Sequence, residues 1–132
     1  MIAEPRPAIC FPMNDLPPAA LARLAAYFQA LAEPTRLRIL NLLRGGERSV
    51  GELAELCGHS AANISRHLAT LTSHGFVARE SRGTSAYYRI ADKSVYALCD
   101  LVCGNIGRQA EIKARETEIF VGRGKAARAR QK

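Results

Sequence analysis

Cys99 and Cys103 stand four residues apart in the apolar run YALCDLVCGNI. On a helix that spacing puts their Cβ atoms roughly 5–6 Å apart on one face, near enough for both sulfurs to turn onto a single soft ion. Thiolates suit thiophilic metals and As(III), whereas hard ions require oxygen ligands. Trigonal arsenic needs a third ligand, and Cys10 is the residue expected to bring it, from the same or the opposite protomer. Asp100 is adjacent in sequence but turns about 100° away on a helix, which makes it a poor ligand. Reactive sulfur species are a second chemistry for the same thiols. A direct disulfide would strain the helix, because disulfide-bonded Cβ atoms lie ~3.8 Å apart, while an inserted sulfur would fill the gap. Plain packing competes with both: Val95, Cys99, Val102, Cys103 and Ile106 form one stripe, and buried cysteines often act as small core residues.

A second set of candidates lies in SAANISRHLATLTSHG. If Ile64, Leu68 and Leu71 face inward, helical geometry turns Ala62, Asn63, Ser65, Arg66 and Thr70 outward, with Ser60 just ahead of them. Short side chains allow close approach to a major groove, where Asn and Arg pair with base edges and Ser or Thr reach base or phosphate. His67 falls between Ile64 and Leu71, partly inward, and reads as a structural or phosphate-contacting histidine; His59 and His74 read as turn and helix-end residues without a role. Arg79, Arg82 and Arg89 are expected to add salt-dependent phosphate contacts. Nineteen Lys and Arg against twelve Asp and Glu give a net charge of +7, which favours a polyanionic partner such as nucleic acid; with this helix face, double-stranded DNA is the expected one.

The elements that must hold these residues follow from apolar spacing and caps. Residues 1–16, with Pro5, Pro7 and Pro12, read as a flexible arm carrying Cys10. From residue 17, Leu21, Leu24, Ala25, Phe28 and Leu31 mark a first helix that Glu33 and Pro34 interrupt. PTRLRILNLLRGG makes a second, with Leu37, Leu40 and Leu43 or Ile39, Leu42 and Leu43 inward. Ser49 with Glu52 can cap a third helix, and Ser60 the fourth; two short helices joined at CGHS make a helix-turn-helix. FVARES and SAYYRI around RGT predict a β-hairpin wing. A last helix starts at Asp92 with Val95, Leu98, Val102 and Ile106 on its apolar face, and residues 121–132 read as a disordered basic tail. The expected fold is therefore mainly α with a β-hairpin wing, one domain over residues 17–120.

ALAEPTRLRILNLL, SVGELAELCGHSAANISRHLATLTSHGFV and RGTSAYYRI together resemble the ArsR/SmtB family of winged-helix transcriptional repressors, over roughly residues 20–106. The resemblance implies a homodimer built on the first and last helices, a recognition helix at residues 60–74, a (pseudo)palindromic operator, and release when an inducer binds. Its arsenic-sensing subgroup carries a C-V-C-x-x-C pattern at the start of the helix before the recognition helix, where this sequence reads SVGELAEL. Cys57, near the end of that helix, fits a small packed residue better than a ligand. The zinc-sensing subgroup uses Asp and His across the last helix, which here contains no histidine. Cys99 and Cys103 remain the candidate inducer site, with As(III) or another thiophilic ion as inducer and no resident cofactor required.

No apolar run approaches the ~20 residues of a membrane span, and the N-terminus lacks the basic start and long apolar stretch of a signal peptide, so a cytoplasmic protein is expected. Gly-rich phosphate loops, nucleophile elbows and paired-carboxylate motifs are absent from the sequence, which disfavours an enzyme. A winged-helix module that binds protein rather than DNA stays open as an alternative.

Overall fold

The computed structural model describes residues 13–130, with side chains to residue 122; Cys10 lies outside the described residues. A 3-10 turn at Met13–Asp15 leads into helices α1 (Pro18–Leu31) and α2 (Pro34–Leu43), a short strand β1 (Arg48–Ser49), helices α3 (Val50–Cys57) and α4 (Ala61–Ser73), strands β2 (Val77–Arg82) and β3 (Ser85–Ile90), and the long helix α5 (Ser94–Arg130). The described residues up to Ala91 form one compact unit, and α5 belongs to a second.

The corner between α1 and α2 is built from one dipeptide and one guanidinium. Pro34 occupies the first helical position, where its missing N–H costs nothing, and the Glu33 side chain accepts the Arg36 backbone N–H at 2.9 Å. Arg36 Nε donates to the Ala30 carbonyl at 2.6 Å, and Nη2 at 3.1 Å to the Gln29 carbonyl, which also accepts the Ala32 N–H, so one side chain ties down the end of α1. The core below this corner takes Ile39, Leu40 and Leu43 from α2, Leu53 from α3, Ile64, Leu68 and Leu71 from α4, Phe76 from the bend before β2, and Val77 and Tyr88 from the sheet. Each apolar side chain fully removed from water contributes about 1.5–3 kcal/mol before entropy is counted. Leu37 is exposed, so α2 turns Ile39 and Leu40 inward together rather than following either stripe read from its spacing. On α1 only Ala30 and Leu31 are buried; Leu21 and Phe28, expected on its inner stripe, are exposed in the single chain.

The wing has three strands where a two-stranded hairpin was expected. β1 pairs antiparallel with β3, Arg48 opposite Tyr88 and Ser49 opposite Tyr87, giving the order β1-β3-β2. Two residues are too few to show an alternating pattern, so pairing with β3 alone defines this strand. Gly83, at the first of two loop positions between β2 and β3, supplies the positive φ of 61° that the tight reversal needs.

Helix α5 begins at Ser94 rather than Asp92; Asp92 stands ahead of it and accepts from the Ser94 N–H at 3.0 Å and hydroxyl at 2.6 Å. These bonds hold the Asp92 carboxyl below its ordinary pKa. The helix runs on to Arg130, through the stretch expected to be a disordered tail. Strong helix formers in KAARAR outweigh the two glycines that precede them. Among the described residues, no helix is long and apolar enough to cross a membrane.

Candidate nucleic-acid interface and cysteine pair

Local hydrogen bonds fix the two helices of the helix-turn-helix. Ser49 Oγ accepts the Glu52 N–H at 3.2 Å, the forward half of the capping box that its spacing predicts, while the Glu52 carboxylate turns back to the Ser49 hydroxyl at 3.2 Å rather than to its backbone N–H. Gly58 closes α3 in the left-handed conformation at φ 69°, its N–H turned back to Ala54 and Glu55. Ser60 Oγ then accepts the Asn63 N–H at 3.1 Å and starts α4. With Ile64, Leu68 and Leu71 fully buried, α4 can present only its other side to solvent.

That side carries Ala62, Ser65, Arg66 and Ala69 exposed, with Asn63 and Thr70 half-buried. Arg66 Nη2 donates to Asn63 Oδ1 at 2.8 Å, so the two residues best suited to base edges form one unit. Thr70 Oγ1 donates back to the Arg66 carbonyl at 3.3 Å. An open groove runs beside this face, lined by Ser49, Val50 and Gly51 at the start of α3, Ala61 and Ser65 of α4, and the wing tip at residues 84–86. Its lining side chains are small or β-branched, so none projects far across it.

Strand register separates the wing arginines. Arg79 lies opposite Tyr88, on the face that also holds buried Val77, whereas Arg82 and Arg89 lie on the other face, opposite Ser85 and Ala78. Arg82 is engaged: both its terminal nitrogens bind the Glu47 carboxylate, Nη2 also reaches Glu80 at 2.9 Å, and its guanidinium stands 4.9 Å from the Tyr87 ring centroid. The bonds to Glu47 and Glu80 hold its pKa above the ordinary arginine value. Arg79 and Arg89 make no ion pair among the described residues.

Cys99 and Cys103 stand on α5 outside any disulfide, Cys99 half-buried and Cys103 exposed; Cys57 is half-buried as the last residue of α3. On the same stretch of α5, Leu101, Val102 and Ile106 are 70%, 47% and 58% exposed. Among the described residues, no group of three His, Cys, Asp or Glu side chains could hold a metal ion. The pair offers two soft ligands that fit a thiophilic ion, and a third must come from elsewhere.

A helix-turn-helix domain family matches residues 31–80. The HTH-type transcriptional regulator NmtR of Mycobacterium tuberculosis is 38% identical over 89 residues, 67% of this chain and 74% of that regulator. This chain belongs to the ArsR/SmtB family. The ArsR/SmtB fold is seen in the homodimeric winged helix-turn-helix DNA-binding domain Mb0332 of Mycobacterium bovis, which matches 75% of this chain and 94% of its own at 36% identity and a TM-score of 0.63. A probable mercury resistance operon repressor of Streptomyces lividans is 38% identical over 71 residues, 54% of this chain and 57% of that protein. This chain spans only 39% of a further relative, the M. tuberculosis regulator Rv0324, at 40% identity.

Within this ArsR/SmtB chain, Ser60, Ala62, Asn63, Ser65, Arg66 and Thr70 come together around the outer side of α4. His67 does not join them. Only 16% of its side chain is exposed, and its Nδ1 lies 3.4 Å from Arg36 Nη1 and 3.8 Å from Glu33 Oε2. The position between Ile64 and Leu71 already signalled this inward turn. Two residues escaped the sequence reading: Glu47, which holds Arg82 from 35 residues away, and His59, whose ring reaches Asn63. Only the helix-capping pattern around Ser60 hinted that His59 would sit beside Asn63.

Proposed function

We propose that this chain is a homodimeric cytoplasmic repressor that binds a (pseudo)palindromic operator through α4 and releases it when a thiophilic metal or metalloid ion, As(III) first, binds Cys99 and Cys103. The observation that carries this reading is a pair of cysteines one turn apart, Cys103 open to solvent, on the helix that leaves Leu101, Val102 and Ile106 uncovered. Such apolar exposure asks for a covering surface. A second copy of the chain supplies it, as in the homodimeric relative, with Leu21 and Phe28 of α1 adding to the interface. The mercury resistance repressor among the relatives supports a soft-ion inducer. Cys10 is the proposed third ligand.

Two-fold symmetry then sets two copies of α4 toward successive major grooves, and ligation on the dimer helix acts by favouring a dimer geometry in which they no longer fit together. A hundredfold loss of operator affinity needs about 2.7 kcal/mol of coupling, within reach of an ion that binds the DNA-free geometry better. Titrating the reduced protein on its promoter DNA with As(III), Sb(III), Cd(II), Zn(II) and polysulfide tests the assignment. Release by As(III) or Sb(III) supports it; release by polysulfide alone makes the chain a sulfur sensor; DNA binding without sequence preference favours a protein-binding module instead.

A further inference from the structure

We propose that His59, in the turn before the recognition helix, is a positioning residue for base recognition: it sets which way round the Asn63 carboxamide faces. The inference rests on the reading of α4 as the element that reads operator bases. It comes from a chain of polar contacts that joins three parts of the fold. Thr35 Oγ1 at the start of α2 lies 3.4 Å from His59 Nε2, His59 Nδ1 lies 3.2 Å from Asn63 Nδ2, and Asn63 Oδ1 accepts from Arg66 Nη2 at 2.8 Å.

Donor chemistry fixes the direction of each link. Arg66 can only donate, so the carboxamide oxygen must face it and the NH2 must face His59. The NH2 only donates, so His59 Nδ1 presents a lone pair, and its Nε2 carries the proton that points to Thr35 Oγ1. The carboxamide is thus held at both ends while the Asn63 backbone N–H is held by Ser60 Oγ at 3.1 Å. Unlike a surface asparagine with a freely turning amide, Asn63 enters a groove with its donor and acceptor already ordered.

What remains unused on Asn63 is the pair of groups that adenine requires. The NH2 has a second hydrogen and Oδ1 a second lone pair; adenine offers N7 as acceptor and N6–H2 as donor in the major groove. A flipped amide would present the opposite order and lose both bonds. His59 therefore favours one polarity of an A·T pair without touching DNA itself, and Thr35 ties that preference to α2.

The experiment is a set of fluorescence anisotropy titrations on the operator and on variants with each base pair changed in turn, using wild type, Asn63→Ala, His59→Ala, His59→Gln, Thr35→Val and the Asn63→Ala/His59→Ala double variant. The wild type is expected to prefer adenine at one position per half-site by tenfold or more, and Asn63→Ala to abolish that preference. His59→Ala should reduce it by about three- to tenfold with an unchanged salt slope. His59→Gln, whose amide can accept from Asn63 and donate to Thr35, should restore most of it. In the Asn63→Ala background, His59→Ala should add nothing. If the wild type shows no sequence preference, the DNA reading itself fails. If it discriminates but His59→Ala preserves the adenine preference, or weakens all sequences equally with and without Asn63, the positioning role of His59 alone is overturned.

Discussion

His67 Nδ1 on the recognition helix stands 3.8 Å from the Glu33 carboxylate that opens α2, and Arg36 lies between α1 and both of them. Partial burial of Glu33 works against its charge, but the Arg36 N–H, the His67 imidazole, the Thr35 N–H and the Arg36 guanidinium together outweigh it, so its pKa falls below the ordinary 4.5. A depressed carboxylate pKa stabilises the fold above the unfolded value and loses that contribution as pH drops through the folded one. Glu33→Ala is therefore expected to lower stability at neutral pH by on the order of 1 kcal/mol, as loss of a helix cap does, with the difference from wild type shrinking at acid pH, as pH falls through the folded-state pKa of Glu33. Urea unfolding of both proteins at neutral and acid pH checks it.

The inner and outer sides of α4 predict opposite phenotypes. Ile64→Ala empties a fully buried site and should cost about 2–5 kcal/mol of stability. Arg66→Ala removes an exposed side chain, so thermal unfolding should shift little while operator discrimination falls by about tenfold or more. Calorimetry and anisotropy on the two variants separate the outcomes.

The ion pair between Arg82 and Glu47 predicts an asymmetry within the wing. Among the described residues Arg79 and Arg89 have no carboxylate to leave, so replacing either by Ala should reduce the slope of log affinity against log salt by about 0.9 if it meets a phosphate. Glu47→Gln leaves Arg82 paired with Glu80 alone and removes one negative charge beside it, and is expected to tighten DNA binding at low salt. Salt titrations of Arg79→Ala, Arg89→Ala and Glu47→Gln show whether the three respond in these directions.

Gly58 is open on the side where a Cβ would stand, but its φ of 69° is unfavourable for any L side chain. Gly58→Ala should therefore cost about 1–2 kcal/mol through backbone strain alone. A fall in the urea midpoint with an unchanged m-value would confirm that no contact was broken.

Features set by near neighbours were legible in the sequence, and those set by distant ones were not. Ser49 with Glu52 and Ser60 with Asn63 are three-residue relationships, and both caps stand where spacing placed them. Inward Ile64, Leu68 and Leu71 follow from one helical period. β1, by contrast, exists through pairing of Arg48 with Tyr88, and Arg82 is occupied by a carboxylate 35 residues earlier; neither leaves a local pattern. His59 looked like a turn residue because its partner Thr35 is 24 positions away. Leu21 and Phe28 stand exposed on a stripe whose period is the same whether it packs within the chain or on a second copy, so spacing alone could not say which.

The central claim is that the Cys99 and Cys103 thiols hold the ion that loosens DNA, and one comparison tests it: operator affinity by anisotropy with and without As(III) for the reduced wild type, Cys99→Ser and Cys103→Ser. The predicted result is tenfold or greater weakening by As(III) in the wild type and less than twofold in either variant, with equal affinities in its absence. Equal release in the variants, or no release in the wild type, would contradict the claim and return both cysteines to a packing role.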